Sequence, residues 1–171
     1  MKTLILPRPS EMDREAFVDR FGPLYEHSPW VAEAAFDAGL SVNHDTIEGL
    51  SERLAEVMLA APEDRQKALI RAHPDLAGKV KLDELTADSR EEQGSAGLDR
   101  CTREEYARFQ ELNETYKDRF GFPFVIAVRG LDRHKILEAF ELRVENDPVI
   151  EFMNALHEIN KIARLRLEAQ A

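Results

Sequence analysis

Two neighbouring stretches of this sequence carry the side chains that a proton-transfer reaction needs. The first, His73-Pro74-Asp75-Leu76-Ala77-Gly78-Lys79, places an imidazole at a step where the proline must interrupt a helix. The second, from Ser89 to Leu98, opens with a hydroxyl, two adjacent carboxylates and an amide. An imidazole titrates near neutral pH and can serve as a general acid or base. The two stretches therefore predict an acid–base site.

His73 has a structural explanation as well as a functional one. An isolated histidine at a helix end usually bonds nearby carbonyl groups and has no further role. The backbone favours the functional interpretation, because Pro74 fixes the chain just after the imidazole and a short turn then reverses it. A ring held on such a rigid corner loses little freedom when it engages a substrate.

The start of the second stretch also allows two interpretations. Ser89 with Glu92 three residues later is an ordinary capping box, and the spacing alone favours that interpretation. In the functional alternative, the helix start offers backbone N–H groups and the Ser89 hydroxyl to an anionic or carbonyl oxygen. Glu92 then faces His73. Gln93 binds an amide-like group, whereas Glu91 faces solvent.

One arginine is anomalous in the last predicted helix. Steps of three and four place on one stripe the residues Phe152, Leu156, Ile159, Ala163 and Arg166. An arginine on an apolar stripe either extends to solvent from the helix end, which is the commoner explanation, or anchors something negative inside. An anionic ligand is the sharper hypothesis, because a guanidinium grips carboxylate or ureido groups with two hydrogen bonds.

Capped helices must position these groups. The sequence predicts an all-α protein, a single-domain bundle of about eight helices over residues 1–171, with one short extended segment. That segment, Phe122 to Val128, forms a lone strand or a buried connector. The expected helices begin near Ser10, Ser28, Thr46, Glu63, Ser89, Thr102, Asp132 and Asp147. The apolar stripe of the third consists of Ile47, Leu50, Leu54 and Met58.

The composition limits the partners. The chain has 33 acidic and 23 basic side chains and a formal charge of −10. This charge argues against nucleic acid and against an anionic membrane surface as the main partner. It does not exclude an anionic small substrate, since one or two local arginines decide that.

The single cysteine and the expected lack of targeting signals predict a cytoplasmic protein. The single cysteine, Cys101, cannot form an internal disulfide, which fits a reducing compartment. Met1 to Leu6 hold too short an apolar run for a secretory signal, no stretch approaches a membrane span, and no peroxisomal tail is expected. The histidines lack metal-ligand spacing with an acidic third ligand, so no metal site is expected.

Five segments together resemble one known family. They are Tyr25-Glu26-His27-Ser28-Pro29-Trp30, His73 to Lys79, Ser89 to Leu98, Phe120-Gly121-Phe122-Pro123-Phe124-Val125, and the late residues Arg143, Asn146 and Arg166. The family is the decarboxylases of 2-oxo-4-hydroxy-4-carboxy-5-ureidoimidazoline (OHCU), which belong to urate breakdown. The resemblance spans nearly the full chain in the family's order. Its His-Pro-Asp-Leu-Ala-Gly and Phe-Gly-Phe-Pro-Phe-Val elements are specific.

The resemblance implies a carboxy-lyase without a cofactor, all-helical and usually a homodimer, that converts OHCU to (S)-allantoin. It implies His73 as the proton donor, and we add the hypothesis that Glu92 orients it as a second catalytic residue. The positions implied to contact the substrate are Pro74, Ser89, Arg90, Glu91, Gln93, Phe124, Val125, Ile126, Ala127, Val128 and Arg166.

Two other functions fit the residues. In a non-catalytic helical adaptor, His73 and Glu92 would only cap helices, and the acidic surface would bind a partner. In a hydrolase of the same pathway, the same two side chains would activate water. Protection of the fold by (S)-allantoin tests the first alternative, and carbon dioxide release tests the second.

Overall fold

The computed structural model of the chain describes residues 2–77 and 85–170. Within these two ranges the chain forms eight α-helices: α1 Arg14–Phe21, α2 Trp30–Asp37, α3 Ile47–Leu59, α4 Glu63–Arg71, α5 Ala87–Ser95, α6 Arg103–Phe120, α7 Arg133–Arg143 and α8 Pro148–Gln170. The only β-type pairing in the described residues is an isolated bridge between Leu4 and Thr46. The prediction of an all-α protein is therefore confirmed.

Contacts within the chain divide it into two units. The first comprises Met1–Ala72 and Ile159–Ala171, and the second comprises His73–Glu158. The first therefore contains α1 to α4 and the end of α8, and the second contains α5 to α7 and the start of α8. The single domain over residues 1–171 stays a prediction.

Apolar periodicity builds the core of the first unit. All four residues of the predicted α3 stripe, Ile47, Leu50, Leu54 and Met58, are buried, as the pattern required. The Phe17 ring on α1 lies 4.9 Å from that of Phe21 and 5.6 Å from that of Phe36. The second of these contacts packs α1 against α2.

The first helix starts later than predicted. Its cap is Asp13, whose carboxylate accepts a hydrogen bond from the backbone N–H of Ala16, and not Ser10. Ser10 instead lies in a 3₁₀ turn, Pro9–Glu11, and donates from both its N–H and its hydroxyl to Asp45. A remote carboxylate thus binds the residue that the local pattern assigned to the cap.

Two capping signals of the second unit, those of α6 and α7, hold as predicted. Thr102 and Glu105 form a reciprocal capping box at the start of α6, and Asp132 caps α7. Gly121 ends α6 with a φ of 78°, a left-handed conformation that glycine adopts at little cost. Among the residues that the structure describes, the segment Phe122 to Val128 has no strand partner, so of the two predicted forms it takes that of a buried connector.

Two helical glycines provide a test of the packing. At Gly49 in α3, an added Cβ would lie 1.8 Å from the backbone oxygen of Asn43, whereas at Gly94 in α5 it would meet no atom within 4 Å. We expect Gly49→Ala to lower the free energy of unfolding by roughly 1–3 kcal/mol through overpacking. Gly94→Ala should raise it by up to about 1 kcal/mol. Urea unfolding of both variants checks this, and equal effects of the two substitutions would contradict the close approach at Gly49.

Candidate active site

The corner that carries His73 is tightly held. Helix α4 ends at Arg71, and His73 follows with only 9% of its surface exposed. Four residues after His73, Ala77 adopts a φ of 50°. This left-handed conformation costs a non-glycine residue about 1 kcal/mol or more. Such a conformation persists only where the surroundings enforce it.

Side chains from two helices enforce it. From α6, the Asn113 amide donates to the carbonyl of Leu76 at 3.0 Å. The Gln110 amide donates to the carbonyl of Ala77 at 2.7 Å. The Lys117 ammonium lies 2.7 Å from the Asp75 carboxylate. The rigid corner predicted from Pro74 is thus reinforced by contacts that the local sequence does not reveal.

Gln93 on α5 holds the same corner. Its side chain is 4% exposed, its oxygen accepts from the N–H of Ala77 at 3.1 Å, and its nitrogen donates to the carbonyl of Asp75 at 3.3 Å. The structure therefore brings the helix of Ser89 to Gln93 against the turn that follows His73 and Pro74. Each end of the amide keeps one further hydrogen-bonding position, so a substrate contact by Gln93 stays a prediction.

The capping interpretation of Ser89 is wrong. Helix α5 begins at Ala87, and its cap is Thr86, whose hydroxyl accepts from the backbone N–H of Ser89. Thr86 lies three residues before Ser89, so its hydroxyl takes the capping position and Ser89 falls within the first turn. Ser89 is buried inside that turn, Arg90 and Glu91 are exposed, and Glu92 is partly exposed. The solvent-facing position predicted for Glu91 is confirmed.

The connector Phe124 to Val128 is buried except for Ile126, which is partly exposed. Phe124 stacks on Phe140 of α7 with ring centroids 3.9 Å apart. Two side chains hold the backbone of the connector. Arg143 donates to the carbonyl of Val125 at 2.8 Å, and Glu158 accepts from the N–H of Ala127 at 3.0 Å. These contacts give the segment a defined course without a sheet.

A buried carboxylate that the sequence patterns did not mark is linked to the connector through Arg143. Glu151 of α8 is 0% exposed and accepts from Arg143 at 2.9 Å, from Asn146 and Asn154 at 3.0 Å each, and from the hydroxyl of Tyr116. Burial alone would raise its pKa, but these donors outweigh burial and hold the pKa below its usual value. An acidic residue in a first helical turn is so common that nothing in the pattern marked it.

Arg166 has an internal anionic partner. It lies in the first unit, whereas the other predicted site residues lie in the second. Its guanidinium is 3.1 Å from the Glu26 carboxylate, and the two side chains are 7% and 2% exposed. It also donates to the carbonyls of Pro23 and Leu24 at 3.4 Å. The negative group that the arginine on the apolar stripe suggested is thus met by Glu26, and a substrate contact stays a prediction.

A cleft of about 480 Å³ lies beside the His73 corner. Its wall comprises Asp75, Ala77, Leu85, Gln93, Leu98, Asp99, Cys101, Thr102, Arg103 and Tyr106. Among the predicted site residues in the described ranges, Gln93 alone contributes to it. Burial, together with the charge of Glu105, raises the pKa of the Cys101 thiol, which lowers its reactivity as a thiolate.

The described residues hold no cluster of three histidine, cysteine or acidic side chains able to bind a metal ion. In the same residues, no helix combines the length and the apolar character needed to cross a bilayer.

Comparison with known proteins decides the family. A family model described as OHCU decarboxylase matches residues 10–168. The chain belongs to the OHCU decarboxylase family. A 2-oxo-4-hydroxy-4-carboxy-5-ureidoimidazoline decarboxylase of Haloferax volcanii is 44% identical over 98% of this chain and 96% of its own. One from Mus musculus is 37% identical over 92% of this chain and 88% of its own.

Solved structures agree with this family assignment. A crystal structure of (S)-allantoin synthase superposes with a TM-score of 0.73 at 31% identity, covering 94% of this chain and 52% of that one. The chain therefore spans about half the length of that solved (S)-allantoin synthase chain. A structure of OHCU decarboxylase with (S)-allantoin superposes with a TM-score of 0.68 at 21% identity, which shows the shared fold.

Proposed function

We propose that this protein decarboxylates OHCU to (S)-allantoin in urate degradation. The observation that carries the proposal is the match to curated decarboxylases of that substrate, 44% identical over almost the whole length of both chains. The tightly held turn after His73, bound by Gln93 of the helix that also carries Glu92, supports it, because a positioned imidazole suits proton transfer.

The substrate explains why so few groups are required. Its reacting carbon bears both the carboxylate and a hydroxyl and adjoins a ring imine. Loss of carbon dioxide leaves the electron pair on the imine nitrogen, which takes a proton from water. The hydroxyl then gives up its proton while the neighbouring ring carbon gains one, so the hydroxyl-bearing carbon becomes a carbonyl. Since the electron sink is part of the substrate, the protein has to bind the molecule and move protons.

Each predicted side chain receives a role in this scheme. His73, oriented by Glu92, takes the hydroxyl proton and delivers a proton to one face of the ring carbon. Gln93, Arg166 and the start of α5 hold the ureido group and the ring oxygens. The remaining contacts come from Pro74, Ser89, Arg90 and Glu91 and from the connector Phe124 to Val128.

The finer properties belong to the same proposal. We expect a homodimer in the cytoplasm, as the resemblance implies for the assembly and as the single free Cys101 favours for the compartment. The partner is a small ureidoimidazoline. The formal charge of −10 disfavours a nucleic acid or an anionic membrane surface as a partner.

Fresh OHCU tests the reaction. We expect one carbon dioxide per substrate consumed and a circular dichroism signal of (S)-allantoin that grows faster than in the uncatalysed decay. Release of ammonia or urea in place of carbon dioxide would instead favour the hydrolase.

Product binding provides a second test. A ligand that binds only the native state raises stability by about 2.7 kcal/mol when present at a hundred times its Kd. We therefore expect (S)-allantoin to raise the Tm in a concentration-dependent way, and (R)-allantoin to raise it less. An unchanged Tm with both, together with no carbon dioxide release, would favour the adaptor.

A further inference from the structure

The carboxylate of Glu151 is linked to the connector through one guanidinium. Arg143 donates from Nε and Nη2 to Glu151 and from Nη1 to the carbonyl of Val125. The same guanidinium lies 4.4 Å from the centroid of the Phe124 ring. Arg143 thus contacts a buried acid, a backbone carbonyl and an aromatic face at once.

The connector depends on such contacts for its position. It has no strand partner in the described residues, so no ladder of backbone hydrogen bonds fixes its course. The Arg143 bond at Val125 and the Glu158 bond at Ala127 hold the groups on either side of Ile126, the partly exposed residue of the segment. A shift of Arg143 would therefore move the stretch that displays Ile126.

We propose that Arg143 and Glu151 are positioning residues of the decarboxylase, which hold the connector where its backbone meets the substrate. This inference rests on the proposed function, under which the connector lines the ligand. Neither residue touches the substrate in this scheme. Both act through the carbonyl of Val125 and the ring of Phe124.

The choice of residues fits positioning better than stability alone. A buried ion pair often stabilises a fold no better than well-packed apolar side chains of similar volume. Only a planar, forked cation can donate to a carboxylate and a carbonyl in fixed directions while stacking on a ring. Tyr116 and the two asparagines then hold the carboxylate itself in place, so that the fork has one orientation.

Arg143→Lys is the decisive variant, with Arg133→Lys as its matched control. A lysine keeps the charge but cannot bind Glu151 and the Val125 carbonyl together. Arg133 also pairs with an acid in the same unit, donating to both oxygens of Glu105 at 2.9 and 3.1 Å, and no described contact joins it to the connector. At a temperature well below both melting transitions, we expect Arg143→Lys to raise KM for OHCU about tenfold while kcat changes less than about threefold. Arg133→Lys should leave both constants unchanged.

Three other outcomes are possible. The first two overturn the inference, and in the third a second variant tests it. If both variants only lower Tm and leave KM unchanged, Arg143 is structural and the inference is wrong, although the proposed function stands. If wild-type protein does not turn over OHCU, the proposed function and the inference fall together. If Arg143→Lys does not fold, Tyr116→Phe removes one donor to Glu151 and keeps the ring, and an unchanged KM there overturns the inference, whereas a rise of about threefold supports it.

Discussion

His73→Ala should fold as the wild type does and lose nearly all stereoselective turnover. A positioned general acid or base contributes on the order of 10²–10⁴ in rate, and His73 is the proposed carrier of the proton. Because OHCU also decays without enzyme, the variant should yield allantoin close to the racemic mixture. Circular dichroism during turnover measures the handedness, and the far-ultraviolet spectrum checks the helical fold.

A second histidine provides the control for this substitution. His157 is exposed on α8 and has no role in the proposed scheme, so His157→Ala should keep the wild-type rate and handedness. Wild-type formation of (S)-allantoin by His73→Ala would remove the imidazole from the mechanism and leave Glu92 as the remaining candidate for proton transfer.

Arg166→Ala should lower the stability strongly as well as weaken substrate binding. The substitution leaves the Glu26 carboxylate, only 2% exposed, without the cation that compensates its burial. Loss of one partner of a buried ion pair costs roughly 3–5 kcal/mol, which for a chain of this size lowers Tm by about 10 °C. Differential scanning calorimetry measures the loss, and the KM for OHCU measures any substrate contact.

The neighbouring arginine is the matched control. Arg164 pairs with Glu168 on the same helix, but the two side chains are 46% and 37% exposed, and exposed pairs contribute about 0–1 kcal/mol. Arg164→Ala should therefore leave Tm almost unchanged. The double substitution Arg166→Met with Glu26→Gln should recover much of the lost stability, since it removes both charges of this pair. A loss for Arg166→Ala no larger than for Arg164→Ala would mean that Glu26 does not need this cation.

The candidate site was only partly predictable, because its groups are satisfied by distant partners. The corner at His73 follows from Pro74, and the existence of the α5 helix, although not its first residue, follows from its pattern. Contact between them depends on Gln93, whose amide binds Asp75 and Ala77. No periodicity or capping signal encodes a side chain that binds the backbone of another segment.

The start of α5 shows a different limit. Thr86 and Ser89 are both good caps, three residues apart, and each is followed by polar residues. The local signal therefore allowed two starts, of which Ser89 was the later. The geometry selects Thr86, whose hydroxyl reaches the N–H of Ser89, and Ser89 is buried.

Interactions within about one helical turn were determined by the sequence alone. Thr102 and Asp132 cap their helices, and the α3 stripe is buried, because capping and periodicity act over three or four residues. The motifs that show the family were likewise readable from the sequence alone. The tertiary structure alone decided that Arg166 meets Glu26 and that Glu151 meets Arg143 and Tyr116. A buried charge needs a partner whatever its distance along the chain, and only the folded chain selects which side chain supplies it.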